Sequence, residues 1–181
     1  MTLPLASWNS ELVSRPPAEG LTVTWIGHAT VLLQMDGISV LTDPMFSSSC
    51  GPVRLPGVAV RYRRAACSVD ELPHIDAVLI SHNHFDHLDH QSVVQLNHRF
   101  GPGLRWFVPT GLRTWMHTAG CQNVTELSWW EEYVFVKEGS FGTSFKCVCV
   151  PSQHWSKRGI WDDNKVSELV SCSTVRETRV L

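Results

Sequence analysis

The sequence predicts a layered α/β protein. A hairpin pattern opens the folded region, strand-like and helix-like segments alternate after it, and the apolar run Ile75-Asp76-Ala77-Val78-Leu79-Ile80 ends directly at a histidine-rich stretch. Hairpins followed by such alternation build a sheet with helices laid against it. Buried strands of α/β proteins present their ligands just beyond their C-terminal ends. At 181 residues the chain is one domain's worth, long enough to enclose a substantial core.

Residues 1–20 carry Pro4, Pro16, Pro17 and Gly20 and read as an irregular lead-in. Strands are predicted at Thr22 to Trp25, Val31 to Met35 and Ile38 to Thr42, the last two joined at Asp36-Gly37, which suits a type I′ hairpin turn. Between Phe46 and Asp70 the chain is rich in Ser, Gly, Pro and Arg and reads as a long loop, a kind of segment that is often functional. Its Arg61-Tyr62-Arg63-Arg64 cluster suits a phosphate or an anionic membrane surface, and equally suits a solvated face. The run at Ile75 to Ile80 reads as a buried strand. Gln91 to Arg99 comes after it as a helix with Val93, Val94 and Leu96 on one side, closed by Gly101-Pro102-Gly103. A strand at Arg105 to Val108, a helix at Gly111 to Thr118 and a strand at Asn123 to Leu127 come next. Trp129 to Glu138 and Phe145 to Val150 read as further β segments, the second stopped by Pro151.

Composition excludes several classes. The formal net charge of -2 gives no global argument for nucleic acid or for an acidic partner. Met1 to Arg15 lacks the basic-then-apolar order of a signal peptide, and no apolar stretch approaches the roughly 20 residues that span a bilayer. Any membrane contact is therefore expected to be peripheral. The six cysteines, Cys50, Cys67, Cys121, Cys147, Cys149 and Cys172, include no C-x-x-C pair and fit reduced intracellular thiols. Cys147 and Cys149 share a strand face and are read as buried packing residues, not as a soft metal site. The eight tryptophans are read mainly as core residues, with Trp155 and Trp161 as candidates to line an acyl channel.

The chemistry concentrates in Ser81-His82-Asn83-His84-Phe85-Asp86-His87-Leu88. Two residues apart on extended chain, His82 and His84 project to one side, where two neutral imidazoles can grip one divalent ion. Asp86 and His87 come too soon after them to complete that tetrahedral shell, and supply oxygen and nitrogen ligands suited to a second borderline ion. A binuclear site is the expectation. The alternative for any single histidine is a surface or hydrogen-bonded residue.

The pattern H-x-H-x-D-H after a strand resembles the signature of the metallo-β-lactamase superfamily. Within it, Leu21 to Val166 is similar to the N-acylphosphatidylethanolamine-hydrolysing phospholipase D family. The likeness runs through Thr24-Trp25-Ile26-Gly27-His28-Ala29-Thr30, Leu41-Thr42-Asp43-Pro44, the histidine run, Leu104-Arg105-Trp106-Phe107-Val108-Pro109 and Pro151-Ser152-Gln153-His154-Trp155. The resemblance implies an αβ/βα sandwich of which this chain holds largely the N-terminal half, and two zinc ions per complete site. It implies that His82, His84 and His154 hold the first zinc, leaving one position open for water. It implies that Asp86 and His87 belong to the second, with a bridging aspartate and a further histidine from a later segment. The implied reaction cleaves N-acylphosphatidylethanolamine to N-acylethanolamine and phosphatidate. The implied setting is a homodimer, peripheral on intracellular membranes such as Golgi or endosomes.

Other positions carry over from the resemblance. Phe85 occupies an aromatic slot near the substrate, and Lys157 a position near the phosphate, where a solvated lysine is the alternative. Asp43 and Asp89 are expected to orient ligand histidines from behind, with an Asp-Pro turn the alternative for Asp43. His28 is expected to make a structural hydrogen bond. The likeness stops after Val166, and no aspartate or histidine occurs beyond Asp163, so the second zinc site is expected to be incomplete and residues 167–181 to form a divergent tail. Two further readings stand beside this one: another hydrolase of the superfamily acting on thioesters, lactams or RNA ends, or a truncated, inactive zinc-binding chain that associates with a full-length relative.

Overall fold

The computed structural model describes residues 7–51, 59–139, 142–152, 154 and 158. Among these residues eight strands and two α-helices succeed one another in order: β1 (Leu21–Gly27), β2 (Thr30–Met35), β3 (Ile38–Thr42), β4 (Ala77–Leu79), α1 (His90–Phe100), β5 (Arg105–Pro109), α2 (Arg113–Thr118), β6 (Val124–Leu127), β7 (Glu132–Val136) and β8 (Ser144–Val148). The first six strands form one sheet in sequence order, and β7 pairs with β8 in a second, two-stranded sheet. Pairing is antiparallel from β1 to β3 and parallel from β3 to β6. The hairpin between β2 and β3 turns at Asp36 and Gly37, both with positive φ, 44° and 79°, as a type I′ turn requires.

Strand alternation sorts the side chains onto two faces. Leu41, Val78 and Trp106 stand abreast on β3, β4 and β5 and pack with Val93, Leu96 and Met116 of the two helices. On the other face Val40, Ala77 and Phe107 meet Phe145 and Cys147 of β8. Three layers result, helices, sheet and hairpin, and the central strands are buried on both faces. The hairpin is tied down by Lys137, whose Nζ donates to Asp76 Oδ1 at 2.9 Å and to the Gly37 carbonyl at 2.7 Å. The same Asp76 carboxylate accepts from the Ser39 backbone at 2.8 Å, so a buried charge receives donors from two layers.

Small departures from the sequence reading have local causes. The strand predicted over 75–80 narrows to β4, yet its edges stay bonded: Asp76 N donates to Ser39 O and Ile80 N to Phe107 O, each at 2.9 Å. Gly111 has φ 100°, which keeps it out of α2. The lead-in is irregular, but Val13 belongs to the core and its carbonyl accepts from Gln34 Nε2 at 3.0 Å. The tryptophans divide more evenly than expected. Trp106 is fully buried, whereas Trp25 and Trp130 are 59% and 69% exposed. Cys147 and Cys149 are buried in the hairpin-side core, as their packing reading expects, and burial pushes the Cys149 thiol up to about 11. Trp155, Trp161 and residues 167–181 lie outside the described residues.

Trp106→Ala removes the largest fully buried side chain and leaves a cavity on the helix side of β5. Denaturant unfolding is expected to show a loss of about 3–5 kcal/mol, with the slope unchanged.

Candidate metal centre

The parallel strands β3 and β4 end side by side, and the segments leaving them build the centre. Asp43 N donates to Leu79 O at 2.9 Å, so the residue after β3 continues the ladder and sits beside the chain leaving β4. After Ser81 the backbone runs on through His82, then doubles back: Leu88 N donates to His84 O at 2.8 Å and His87 N to the same carbonyl at 3.1 Å. That turn folds Asp86 and His87 back toward the sheet and delivers Asp89 to the start of α1. His154 arrives from the far side, beyond the end of β8 and Pro151.

Two donor groups form. In the first, ligand nitrogens of His82, His84 and His154 all lie within 4.8 Å of one another. His82 Nε2 stands 3.0 Å from His84 Nδ1 and 3.1 Å from His154 Nε2. Zinc–nitrogen bonds of about 2.0–2.1 Å put tetrahedral ligands roughly 3.3 Å apart, so the three rings fit one ion of that size with little movement. The second group gathers His28, Asp86 and His87. His28 Nε2 donates to Asp86 Oδ2 at 2.8 Å, and His87 Nε2 lies 3.6 Å from the same oxygen. The hydrogen bond expected for His28 is present, and it draws the ring into the donor set. A nitrogen and oxygen group of this kind suits a borderline divalent ion.

The carboxylate of Asp43 frames both groups. It is 6% exposed, its residue has φ 34°, and its carbonyl accepts from Thr30 Oγ1 at 2.8 Å. Oδ1 accepts from Ser81 N at 2.7 Å, and Oδ2 accepts from Ser81 Oγ at 2.6 Å and His87 Nδ1 at 2.8 Å. With its proton given to Asp43, Ser81 Oγ accepts from His82 Nδ1 at 2.8 Å. Both imidazoles then carry their proton on Nδ1 and turn a bare Nε2 toward the donor groups, the form a metal ligand needs. Asp43 therefore holds His87 directly and His82 through Ser81.

Charge reinforces this assignment for His82. Burial, then the neighbouring His87, His84 and His154, depress the His82 pKa to about 3, so the ring is neutral at physiological pH. His87 moves the other way: burial alone would lower it, but the Asp43 hydrogen bond and the charges of Asp43 and Asp86 raise it. Burial would raise Asp86, and His87, its backbone bond and His28 outweigh that and lower it.

The remaining expected residues fall in different places. Asp89 caps α1: its Oδ2 accepts from Ser92 N at 3.1 Å, Ser92 Oγ at 2.5 Å and Ser47 Oγ at 2.6 Å. The orienting role expected for it is filled by Asp43, because a carboxylate one residue before a helix meets the free backbone N–H groups of the first turn. Phe85 lies under the guanidinium of Arg158, 4.3 Å from its ring centroid, and Trp115 flanks the same guanidinium at 4.7 Å. Arg158 Nη1 also donates to the carbonyls of Asn83 and Leu88, at 3.0 and 2.8 Å, and so ties the histidine run to the segment that carries His154. Lys157 lies outside the described residues. Ser81 and Arg158 had no motif to announce them.

Comparisons with known proteins place the chain in a family. Residues 39–179 match the model of the beta-lactamase superfamily domain. The chain is 39% identical over 150 residues to the N-acyl-phosphatidylethanolamine-hydrolyzing phospholipase D 1 of Caenorhabditis elegans, covering 80% of this chain and 41% of the relative. It is 35% identical over 147 residues to the mitochondrial N-acyl-phosphatidylethanolamine-hydrolyzing phospholipase D of Saccharomyces cerevisiae, covering 78% and 29%. The chain thus spans less than half the length of these curated relatives. Among solved structures it is similar to CmlA, a diiron beta-hydroxylase from Streptomyces venezuelae, with TM-score 0.50 and 25% identity over 75% of this chain and 24% of that one.

Asp43→Asn keeps the shape of the frame but offers an amide where two donors converge. Metal affinity, read by competition with a chromophoric chelator, is expected to fall about 10–100-fold, while Asp89→Ala leaves it within a factor of about 3 and costs about 0.5–2 kcal/mol of helix stability instead.

Proposed function

The chain belongs to the beta-lactamase superfamily domain family, and on that premise we propose that it is a zinc-dependent phosphodiesterase acting on N-acylphosphatidylethanolamine. The products are an N-acylethanolamine and phosphatidate. The observation that carries the reading is the convergence of His82, His84 and His154 beside His28, Asp86 and His87, two adjacent donor groups at the C-terminal edge of the sheet. The names of the two phospholipase D relatives support the substrate. Three imidazoles leave a fourth position for water in a zinc centre, which separates a catalytic site from a closed structural one. The diiron neighbour makes iron the competing metal.

Divalent cations at these ligands would supply Lewis acidity toward water and toward a phosphoryl oxygen. The chain's own contribution is positional. Asp43 and Ser81 fix the Nδ1 protons of His87 and His82, so a flip of His87 leaves the buried Asp43 carboxylate short of a donor and a flip of His82 leaves the Ser81 hydroxyl short of one. Asp86 contributes a carboxylate already in its ionised form, held by His28. Phe85, in the turn between His84 and Asp86, borders a cavity of mixed lining, with Cys50 and Val94 beside Asp89, Gln91 and Arg158. No described helix is long and apolar enough to cross a membrane, so contact with a bilayer substrate is proposed to be peripheral.

Given vesicles containing N-acylphosphatidylethanolamine, the purified chain, with its second zinc site incomplete, is expected to release N-acylethanolamine slowly and only when zinc is supplied. Chelation should abolish the release and zinc should restore it better than iron. His154→Ala, which removes a donor and leaves the fold's core intact, is expected to lower the rate at least about 100-fold. Release that survives chelation, or a wild-type rate in His154→Ala, would contradict the assignment.

A further inference from the structure

A cavity of about 680 Å³ opens beside the second donor group. His28 and Asp86 form one part of its wall, Trp8 and Trp25 another, and the cluster Arg61 to Arg64 a third. Its size lies in the range of small-molecule sites. The mixed lining, indoles next to guanidinium groups, suits an anion that carries an apolar portion.

Arg61 is held in place. Its Nη1 donates to the Met45 carbonyl, and its Nη2 occupies the space over Gly27, where a Cβ would lie 2.7 Å away. Gly27 has φ 146°, a conformation open to glycine, so the turn before His28 makes room for the guanidinium. Arg61 is half-buried, and that burial lowers its pKa. Among the described residues neither Arg61 nor Arg64 pairs with a carboxylate. Asp86 on the same wall is bonded by His28. Asp89 acts on Arg61 only from beyond ion-pair distance, and a partly desolvated guanidinium with no carboxylate in contact gains from an anion that matches its planar fork, as phosphate does.

We propose that Arg61 and Arg64 form a phosphate-binding subsite in this cavity, holding a phosphate ester whose apolar portion lies against Trp8 and Trp25. The subsite borders the second donor group through His28 and Asp86 but does not require an ion there, since anion binding by these arginines needs no metal. It deepens the proposed hydrolysis by placing a second anion-recognising wall next to the reacting centre, but it does not depend on that reaction.

Isothermal titration of the chelator-treated full chain tests it, with inorganic phosphate and glycerol 3-phosphate as soluble probes. Vesicles of phosphatidylcholine with and without phosphatidic acid form the lipid arm. The wild type is expected to bind phosphate, Arg64→Ala to weaken it about tenfold, and Arg61→Ala by at least as much. Gly27→Ala, which displaces Arg61 without touching its charge, should weaken it too, while Arg113→Ala on α2 keeps wild-type affinity. Arg64 is exposed, so its variant should melt as the wild type does and rules out unfolding as the cause. Binding of glycerol 3-phosphate assigns the subsite to a soluble ester, and binding only of vesicles with phosphatidic acid assigns it to a lipid headgroup. Wild-type protein that binds none of the probes, neither inorganic phosphate, glycerol 3-phosphate nor vesicles with phosphatidic acid, unchanged affinity in Arg61→Ala and Arg64→Ala, or an equal loss in Arg113→Ala overturns the subsite. A chain that binds phosphate through these arginines yet cleaves nothing when loaded with zinc retains the subsite and loses only the proposed reaction.

Discussion

The arrangement rests on one buried carboxylate. Asp43 accepts from Ser81 N, Ser81 Oγ and His87 Nδ1, and through Ser81 it sets the proton on His82. Its place is set by sheet register. Thr42 pairs with Leu79 in the parallel ladder, so the residues after β3 and β4 must emerge together. A carboxylate taken so far from water requires several donors, and the histidine loop provides them. The loop, in return, receives the hydrogen bonds that fix its tautomers. Neither the loop nor the carboxylate is satisfied alone, which is why a strand-end turn with φ 34° at a non-glycine residue persists.

The donor groups carry a conflict that a cation resolves. His82, His84 and His154 bring ligand nitrogens to 3.0 and 3.1 Å, and mutual repulsion with burial keeps His82 neutral. Packing polar rings this tightly gives the apo protein little by itself, since each nitrogen gave up water to reach its place. Local rules yield in this way at functional sites, where a bound group supplies the missing interaction. Arg158 limits how far the rings can relax, because its guanidinium lies between Phe85 and Trp115 and bonds carbonyls on both sides of the loop.

Much of this is legible in the chain, and the gaps have physical causes. Asp36-Gly37 names its turn because few residues accept positive φ. The histidine run is legible because ligand chemistry needs rare residue types at strand ends, and His154 through the family resemblance. Asp43 and Asp89 cannot be told apart by sequence, since both are aspartates near strand or helix ends and residue type does not reveal the partner. The fold decides it: Asp43 faces a histidine across two strands, and Asp89 faces the free N–H groups of its own helix. His28 reaches Asp86 across 58 residues of sequence, a contact only topology creates. Ser81 is too common a residue to stand out. Trp25 and Trp130 depart from the core expectation because hydrophobicity favours burial without ensuring it, and both are more than half exposed.

The central claim is that the Asp43 frame presents three imidazole nitrogens to one ion. X-ray absorption of the chain loaded with a single equivalent of zinc addresses it most directly. A shell with three histidine nitrogens at about 2.0–2.1 Å, showing imidazole outer-shell scattering, is the predicted result. A shell dominated by sulfur near about 2.3 Å, placing the ion on the buried cysteines, or one of oxygen alone, would contradict it.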